Sequence, residues 1–376
     1  MVVTGDTVAV KSTAKVNVSG ASGGGQALIG GDIQGGKAST ETLTRYATSN
    51  YRKAVPTATK TTVEAGATIT ADATVNGKGG KIVVWSEEDT LSYGSYTARG
   101  GAQGGDGGFI ETSGKQTLAF GGIADASAAQ GLSGYWLLDP TNVLITSSVS
   151  GNGSWSGGTP DVFTGTADPS TVSSSQIITA LNGGTSVIIS ATGDITVGDA
   201  ITKSSGNSAS LTLSAGTAIS VNQPITSISS PTNGNALNVT LEGTSSSVIT
   251  IGANITTNGG SLQVGASGGN SALSITQSAG TTVSAGTTSF KADTVTLNGT
   301  LQSTGNVTLT GHTNIAGMGS VAAGTDGTLL ISDSAAFSLG SSASLSAKSI
   351  TVSGTTVDLS GTITQTSGGS GHGGLT

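Results

Sequence analysis

Glu87, Glu88 and Asp89 form the one run of adjacent acids in a chain of 376 residues, so paired carboxyls are the first chemistry to consider. Glycoside hydrolysis needs two carboxyls held across a cleft, one to protonate the leaving oxygen and one to attack or to activate water. Most later acids stand singly, Asp161, Asp194, Glu242 and Asp358 among them. Neighbouring coils of a repetitive fold can align acids that are distant in sequence, so spacing alone leaves the class open. The two histidines, His312 and His372, sit in no partner motif and are too few for a multi-histidine metal site. Cysteine is absent, which removes thiol and zinc-thiolate chemistry. No Gly-x-Ser-x-Gly elbow falls between a strand and a helix. Gly104-Gly105-Asp106-Gly107-Gly108 has a calcium-loop look but lacks the nine-residue repeat with a second aspartate. The expectation is a protein that is not an enzyme and has no cofactor, with calcium at loops as the open alternative. A binding surface is the other chemistry on offer. Tyr46, Tyr51, Trp85 and Trp155 could stack on sugar faces, and Arg45 and Arg52 could fork onto acidic groups of a glycan.

The elements that must position these groups are short and repetitive. Gly supplies 61 residues, Ser and Thr together 114, and aromatics only 3%. Charged residues are 9%, against about 25% in an ordinary soluble domain. The chain is too regularly apolar for disorder, and its Gly has no three-residue period, so it is not collagen. Residues 1–140 carry 11 basic and 12 acidic side chains, and 141–376 carry 3 and 9. A net charge of −7 disfavours nucleic acid and anionic membranes, which both need clustered Lys and Arg. No apolar run is long enough to span a bilayer as a helix. The segment MVVTGDTVAV does not read as a signal peptide.

Apolar residues alternate with Ser or Thr in triplets such as Ile195-Thr196-Val197, Leu211-Thr212-Leu213 and Ile249-Thr250-Ile251. Period-two alternation marks strands with one buried face. Strand groups begin near Ser210, Ala236, Ser261, Ser289, Asn306, Thr328 and Ser344, a mean spacing of about 22 residues, and such a period calls for a solenoid. The expected fold is all-β, a single right-handed parallel β-helix of roughly 15 coils at about 4.8 Å per coil. Val84, Ile110, Leu138, Ile188, Leu213, Val239 and Leu309 should lie inside it. Two loops, 38–60 and 147–170, should leave the coil. One short helix is expected near Ser173–Leu181, capped by Ser174 or Ser175 and stopped by Asn182-Gly183. The sections are then 1–146, Gly-rich β-helix; 147–176, a loop excursion; 177–366, regular coils; and 367–376, a Gly-rich flexible tail.

Residues 77–145 carry a distinctive series. It contains Val84-Trp85-Ser86, Thr90, Tyr93-Gly94, Ala98-Arg99-Gly100-Gly101 and Gly104-Gly105-Asp106-Gly107-Gly108. It continues with Glu111-Thr112-Ser113-Gly114, Asp125-Ala126-Ser127-Ala128 and Leu137-Leu138-Asp139-Pro140-Thr141-Asn142. This series resembles the large exoproteins of the filamentous-haemagglutinin type, exported by two-partner secretion from Gram-negative bacteria. The likeness runs from about residue 30 to about residue 280. It implies a right-handed parallel β-helix in an adhesin or biofilm-matrix protein, secreted or held at the cell surface. It also implies an outer-membrane transporter partner during export, and a host or bacterial surface glycan or protein as receptor. The family's amino-terminal secretion domain has no counterpart here, so the chain reads as an interior piece that would stack on adjoining coils of a longer protein. Its expected role is a structural stalk segment, with a glycan- or receptor-binding module as the alternative and a polysaccharide-acting enzyme as a remote third.

Within the series each residue has a physical role to fill. Ile82 and Val84 should face inward, and Lys81, Val83 and Trp85 outward, with the loop 38–60 covering the indole. Arg99 should pair with Glu87, Glu88, Asp89 or Glu111 across coils. Gly100, Gly101, Gly104, Gly105, Gly107 and Gly108 should supply left-handed backbone at tight corners. Asp139-Pro140 should turn the chain, with the carboxylate accepting backbone N–H groups.

Overall fold

The computed structural model describes residues 1–38, 54–147, 169–228, 235–266, 271–333 and 335–366, together with the backbone of 153–155 and 163–165. The chain divides into two compact units, Met1–Thr192 and Gly193–Thr376. Each unit is a right-handed parallel β-helix, in which strands on three faces follow one another and pair in parallel with the strand one coil away. The ladders Lys81↔Phe109, Asp89↔Thr117 and Ser95↔Ile123 place all three faces of one coil 28 residues from the next. The right hand is the one that a twisted strand feeding a parallel crossover adopts.

In the first unit the first face is built from Val2–Val3, Gln26–Ile29, Lys81–Ser86, Phe109–Gly114, Tyr135–Leu138 and Ser186–Ala191, which makes six coils. One inward column of this face is Ala27, Ile82, Ile110, Trp136 and Val187. Large rings fill the interior beside it: Phe120 lies 4.5 Å from the Trp136 ring and 6.2 Å from that of Tyr96. The Trp136 indole N–H donates to Thr112 Oγ1 at 2.9 Å, and the Tyr96 hydroxyl lies 2.5 Å from Ser92 Oγ. The polar ends of both rings therefore have a partner.

Chain order is broken once on the second face. Strand Ser170–Ser173 lies between Thr117–Phe120 and Val143–Thr146, although it follows both in sequence. The excursion that leads to it contains an antiparallel pair, Gly153–Trp155 with Phe163–Gly165. The helix Ser174–Asn182 comes next and packs against the third-face strand Ile123–Asp125, burying Ile177, Ala180 and Leu181. A helix thus occupies a place where the other coils put a strand. Its N-cap is Ser173, one residue before the expected caps, and no side-chain bond caps it. Gly183 stays right-handed, and Gly184, at φ 84°, makes the left-handed exit.

The second unit shows the simpler pattern. Its first face runs through strands that open at Ala209, Leu237, Ser261, Thr287, Val307, Thr328 and Ser349, so it has seven coils. Six of these starts fall within two residues of the sequence expectation. Ser344 instead opens a third-face strand. Inward positions carry single-file aliphatics, for example Ile201, Ile225, Ile255, Val283, Leu301, Val321, Leu345 and Ile363 on the third face. Each such Leu or Ile, when fully buried, contributes about 1.5–3 kcal/mol. The two units hold thirteen first-face strands among the described residues, below the fifteen coils expected, because coils of the first unit take 26 to 28 residues where about 22 were expected.

Of the seven residues expected inside, Val84, Ile110, Leu138, Leu213, Val239 and Leu309 are fully buried on inward columns. Ile188 is buried on the opposite side of its strand, in register with Leu137 and beneath an outer layer of the first unit. The strand begins at Ser186, so its inward residues are Val187 and Ile189.

The glycines also act differently from expectation. Of the six singled out, only Gly104 and Gly105 have positive φ, at 151° and 117°. Gly100, Gly101, Gly107 and Gly108 are needed because neighbouring backbone leaves no room for a Cβ. A Cβ on Gly107 would fall on the carbonyl oxygen of Ala126, and one on Gly108 on that of Gly80. The same corner recurs in three successive coils: Gly80, Gly108 and Gly134 donate their N–H to Ala71, Ala98 and Ala126 at 2.6, 2.7 and 2.8 Å. Close approach, and not left-handed backbone, explains most of the Gly-rich block.

Candidate functional site

The outer side of the first-face sheet in the first unit is covered, and the cover encloses charge. Alternation along Lys81–Ser86 sends Lys81, Val83 and Trp85 outward, as the sequence pattern requires, yet all six residues of the strand are buried. Leu28, Val83, Trp85, Phe109, Leu137 and Ile188 form an apolar layer under the turn Ile33–Gly36, and Ala38 and Val55 pack at its margin. The covering residues over the indole begin earlier than the expected loop 38–60. Gly31 and Gly35 lie directly on the ring, where a Cβ on Gly35 would come within 2.6 Å of Cη2. Gly35 has φ 64°, and Gln34 before it has φ 49°, an uncommon left-handed conformation for a residue with a side chain.

Gln34 is held in that conformation by two carboxyls from successive coils. Its backbone N–H donates to both oxygens of Glu111 at 3.1 Å, and its Nε2 donates to Asp139 Oδ2 at 2.5 Å. Glu111 is fully buried, in register between Val83 and Leu137. Desolvation, reinforced by the charge of Asp139, pushes its carboxyl well above the usual range. Desolvation raises Asp139 as well, opposed by hydrogen bonds from Gln34 and Ser190. Lys81 is 5% exposed, and its Nζ has no hydrogen-bond partner. Burial lowers its pKa, while the charges of Asp32 and Glu111 oppose that shift. Asp139 therefore accepts a side-chain amide, where backbone donors were expected, and its own N–H donates to Ser113 Oγ at 3.0 Å. Pro140 follows it, buried, as the strand ends.

A second polar feature lies at the Gly-rich corner of the same unit. A groove of about 340 Å³ is lined by Asp72, Thr74, Arg99, Gly100, Ala102 and Ser127, with small residues beside them. Arg99 pairs with Asp72, Nη2 to Oδ2 at 2.7 Å and Nε to Oδ2 at 3.2 Å, and Asp125 stands 4.0 Å from Nε. Three of the four expected partners of Arg99 are engaged elsewhere. Glu87 meets Lys115 at 2.9 Å, Asp89 meets Lys60 at 3.1 Å, and Glu111 is under the turn. The nearest carboxylate to a third-face corner is the one a coil below at the same corner, and that is Asp72. Asp106, in the calcium-like segment, accepts the N–H of Leu132 at 2.9 Å. Among the described residues no three acidic or histidine side chains converge closely enough to hold a metal ion.

The binding residues named from sequence fare unevenly. Trp85 is 3% exposed, so its ring is not available as a stacking surface. Arg45, Tyr46, Tyr51 and Arg52 lie outside the described residues, as does the side chain of Trp155. Asp72 and Gln34 were given no role from sequence, and Glu111 and Asp139 were each named there without being expected to share one partner. One signal was present: an acid at 111 occupies an outward position whose ladder neighbours, Val83 and Leu137, are apolar. A carboxyl in an otherwise apolar column marks a special environment. His312, expected at an exposed corner, is partly exposed there, with Nδ1 3.6 Å from the buried Asp333 carboxylate.

No helix among the described residues is long and apolar enough to cross a membrane. The architecture is that of a scaffold, a stack of near-identical coils joined by continuous ladders within each unit. Comparison with protein-family models and with curated proteins finds no match for this chain.

Proposed function

We propose that this chain is a structural stalk segment of a large secreted exoprotein of the filamentous-haemagglutinin type. The observation that supports this most is the in-register stacking of coil on coil on all three faces, with interiors of one aliphatic per strand position. Such a stack gains length by adding coils and asks nothing further of its side chains. The Gly-rich series that resembles the exoproteins is the part that builds the recurring coil corner at Gly80, Gly108 and Gly134. On this reading the chain is not an enzyme: the carboxyl pair Glu111 and Asp139 lies under a turn and is engaged by Gln34. Its partners are adjoining coils of the parent protein and an outer-membrane transporter during export, and its place is the surface of a Gram-negative cell.

The second reading, a glycan-binding module, draws on the Arg99 groove, where one guanidinium between two carboxylates and the Thr74 and Ser127 side chains offers hydrogen bonds to a polyhydroxylated ligand. A glycan array with a parallel cell-adhesion assay separates the two. The stalk reading expects no saturable binding by the wild-type chain. Specific binding abolished by Arg99→Ala, with melting unchanged, would replace it with the groove. Binding lost only in the triple Tyr46, Tyr51 and Trp155 variant would replace it with the aromatic surface.

A further inference from the structure

The amine of Lys81 is shut in beside carboxyls and bonds to nothing. Lys81 is 5% exposed, and its Nζ has no hydrogen-bond partner. A polar atom left in that state is costly and calls for an explanation. The ladder supplies one. Lys81 is in register with Phe109, and Val83 with Glu111, so Lys81 and Glu111 are diagonal neighbours on the outward side of successive coils. Diagonal neighbours stand about 7–8 Å apart at the backbone, within the span of a long side chain. Asp139 lies two residues beyond Leu137, the ladder partner of Glu111 on the next coil. The apolar layer that includes Val83, Phe109 and Leu137 flanks all three groups.

We propose that Lys81 and Glu111 condense in the folded chain into a side-chain amide, a covalent tie between two successive coils. The step needs no reagent beyond the two side chains. Lys81 Nζ attacks Glu111 Cδ, one C–N bond forms and one C–O bond breaks. Ammonium and carboxylate together become an amide and one water: the nitrogen keeps one hydrogen, and two leave with the oxygen. The balance is the same whichever of the two groups holds their shared proton.

The surroundings favour the step in several ways. Two groups fixed on one sheet react as parts of a single molecule, for which effective concentrations reach about 10⁵ M or more. The Gln34 N–H, 3.1 Å from both Glu111 oxygens, can donate to the negative oxygen that develops as the carbon becomes tetrahedral. Asp139, beside Glu111 and also held by Gln34, is the group placed to take a proton from the nitrogen and return it to the departing oxygen. Burial favours the uncharged amine and acid that react, lowering Lys81 and raising Glu111. Asp32 also faces Lys81, but it belongs to the turn and accepts the N–H of Ile33 at 2.8 Å, whereas Glu111 is fixed on the adjacent strand. The amide leaves neither a buried ammonium without a partner nor a buried carboxylate.

Mass spectrometry of the full chain, unfolded in denaturant after purification, tests the bond. The wild type should weigh one water less than its sequence requires. Trypsin should leave the chain uncut after Lys81 and yield residues 79–99 and 100–115 as one branched species, whose fragments place the link between Lys81 and Glu111. Lys81→Arg and Glu111→Ala should each restore the full mass. Asp139→Asn should leave most chains unlinked, and complete linkage in that variant would overturn the part given to Asp139. A wild type at its full sequence mass would overturn the whole proposal. So would a water loss that survives Lys81→Arg, or one that maps to Asp32 or to an imide at Asp106-Gly107. Should Lys81→Arg fail to fold, the fragment map of the wild type decides alone.

Discussion

At the scale of single residues, polar side chains inside the β-helix are held by local partners, although some of their atoms, Gln277 Oε1 among them, meet none. Thr288 and Ser303 share a hydrogen bond at 2.6 Å in the interior of the second unit, and Gln277 donates Nε2 to Thr300 O at 2.9 Å. Lys203 is the demanding case. It sits on an inward position beside Ser227, fully buried, with its Nζ donating to the carbonyl of Ser205. Burial brings its pKa down to about 8. A lysine lowered in this way binds fewer protons folded than unfolded between about 8 and its ordinary 10.5, so stability should rise as pH climbs through that window. Below it the buried charge opposes folding. Lys203→Met should therefore raise stability at neutral pH by about 1–3 kcal/mol and abolish the rise between those pH values, as urea melts at a series of pH values would register. A wild type whose stability is level across that window would refute the account. Trp85 gives the opposite sign. Its ring is enclosed by Gly31, Gly35 and the apolar layer, so Trp85→Ala should cost about 3 kcal/mol in the same melts. Unchanged melting would show that the cover contributes nothing.

The coil corner is the critical element, more than any one strand. Strands of three to six residues cannot hold themselves, and the return from the third face to the first is what keeps coils in register. In the first unit that return passes over the carbonyls of Ala71, Ala98 and Ala126 at a distance only glycine permits. Gly107→Ala adds one methyl group, yet it should cost about 2–4 kcal/mol, because the atom it meets is backbone and cannot rotate away. Gly36→Ala is the control, since a Cβ there meets nothing within 4 Å and only its φ of 77° is strained. It should cost about 1 kcal/mol. Equal effects for the two would mean that close approach is not what these corners require. The helix Ser174–Asn182 shows the same dependence on tertiary support. At nine residues it is too short to persist alone, and Ile177, Ala180 and Leu181 hold it against its neighbouring strands.

At the scale of the molecule, stability in each unit should behave as a sum of coils and of the contacts between adjacent coils. Ile219 and Ile249 are ladder partners on the second face, whereas Leu345 lies on the third face several coils away. Ile219→Ala and Ile249→Ala should be non-additive by about 0.5–3 kcal/mol, since each removes part of the other's surroundings. Ile219→Ala and Leu345→Ala should add within about 0.5 kcal/mol. Double-mutant cycles read from denaturant melts measure both, and strong coupling of the distant pair would contradict a stack held by nearest neighbours.

Alternation of Ile, Leu or Val with Ser or Thr was enough to assign the all-β class, the coil spacing of the second unit and six of seven inward positions, because a strand has a period of two and offers its side chains only two directions. Local sequence also located the helix near Ser174, although no side-chain bond caps it and the left-handed exit comes at Gly184. The tertiary structure decided everything that depends on which coil lies next to which. Ile188 changed sides because the start of its strand is set by pairing with Tyr135–Leu138. Arg99 met Asp72 because stacking brings together residues 27 apart. Strand Ser170–Ser173 entered between two strands that precede it. Glu111 and Asp139 became a pair under Gln34 through contacts spanning 77 and 105 residues of sequence. A pattern of period two records the face on which a side chain lies. It carries no record of what is stacked above that face, and the burial and charge state of a carboxyl are set by what is stacked there.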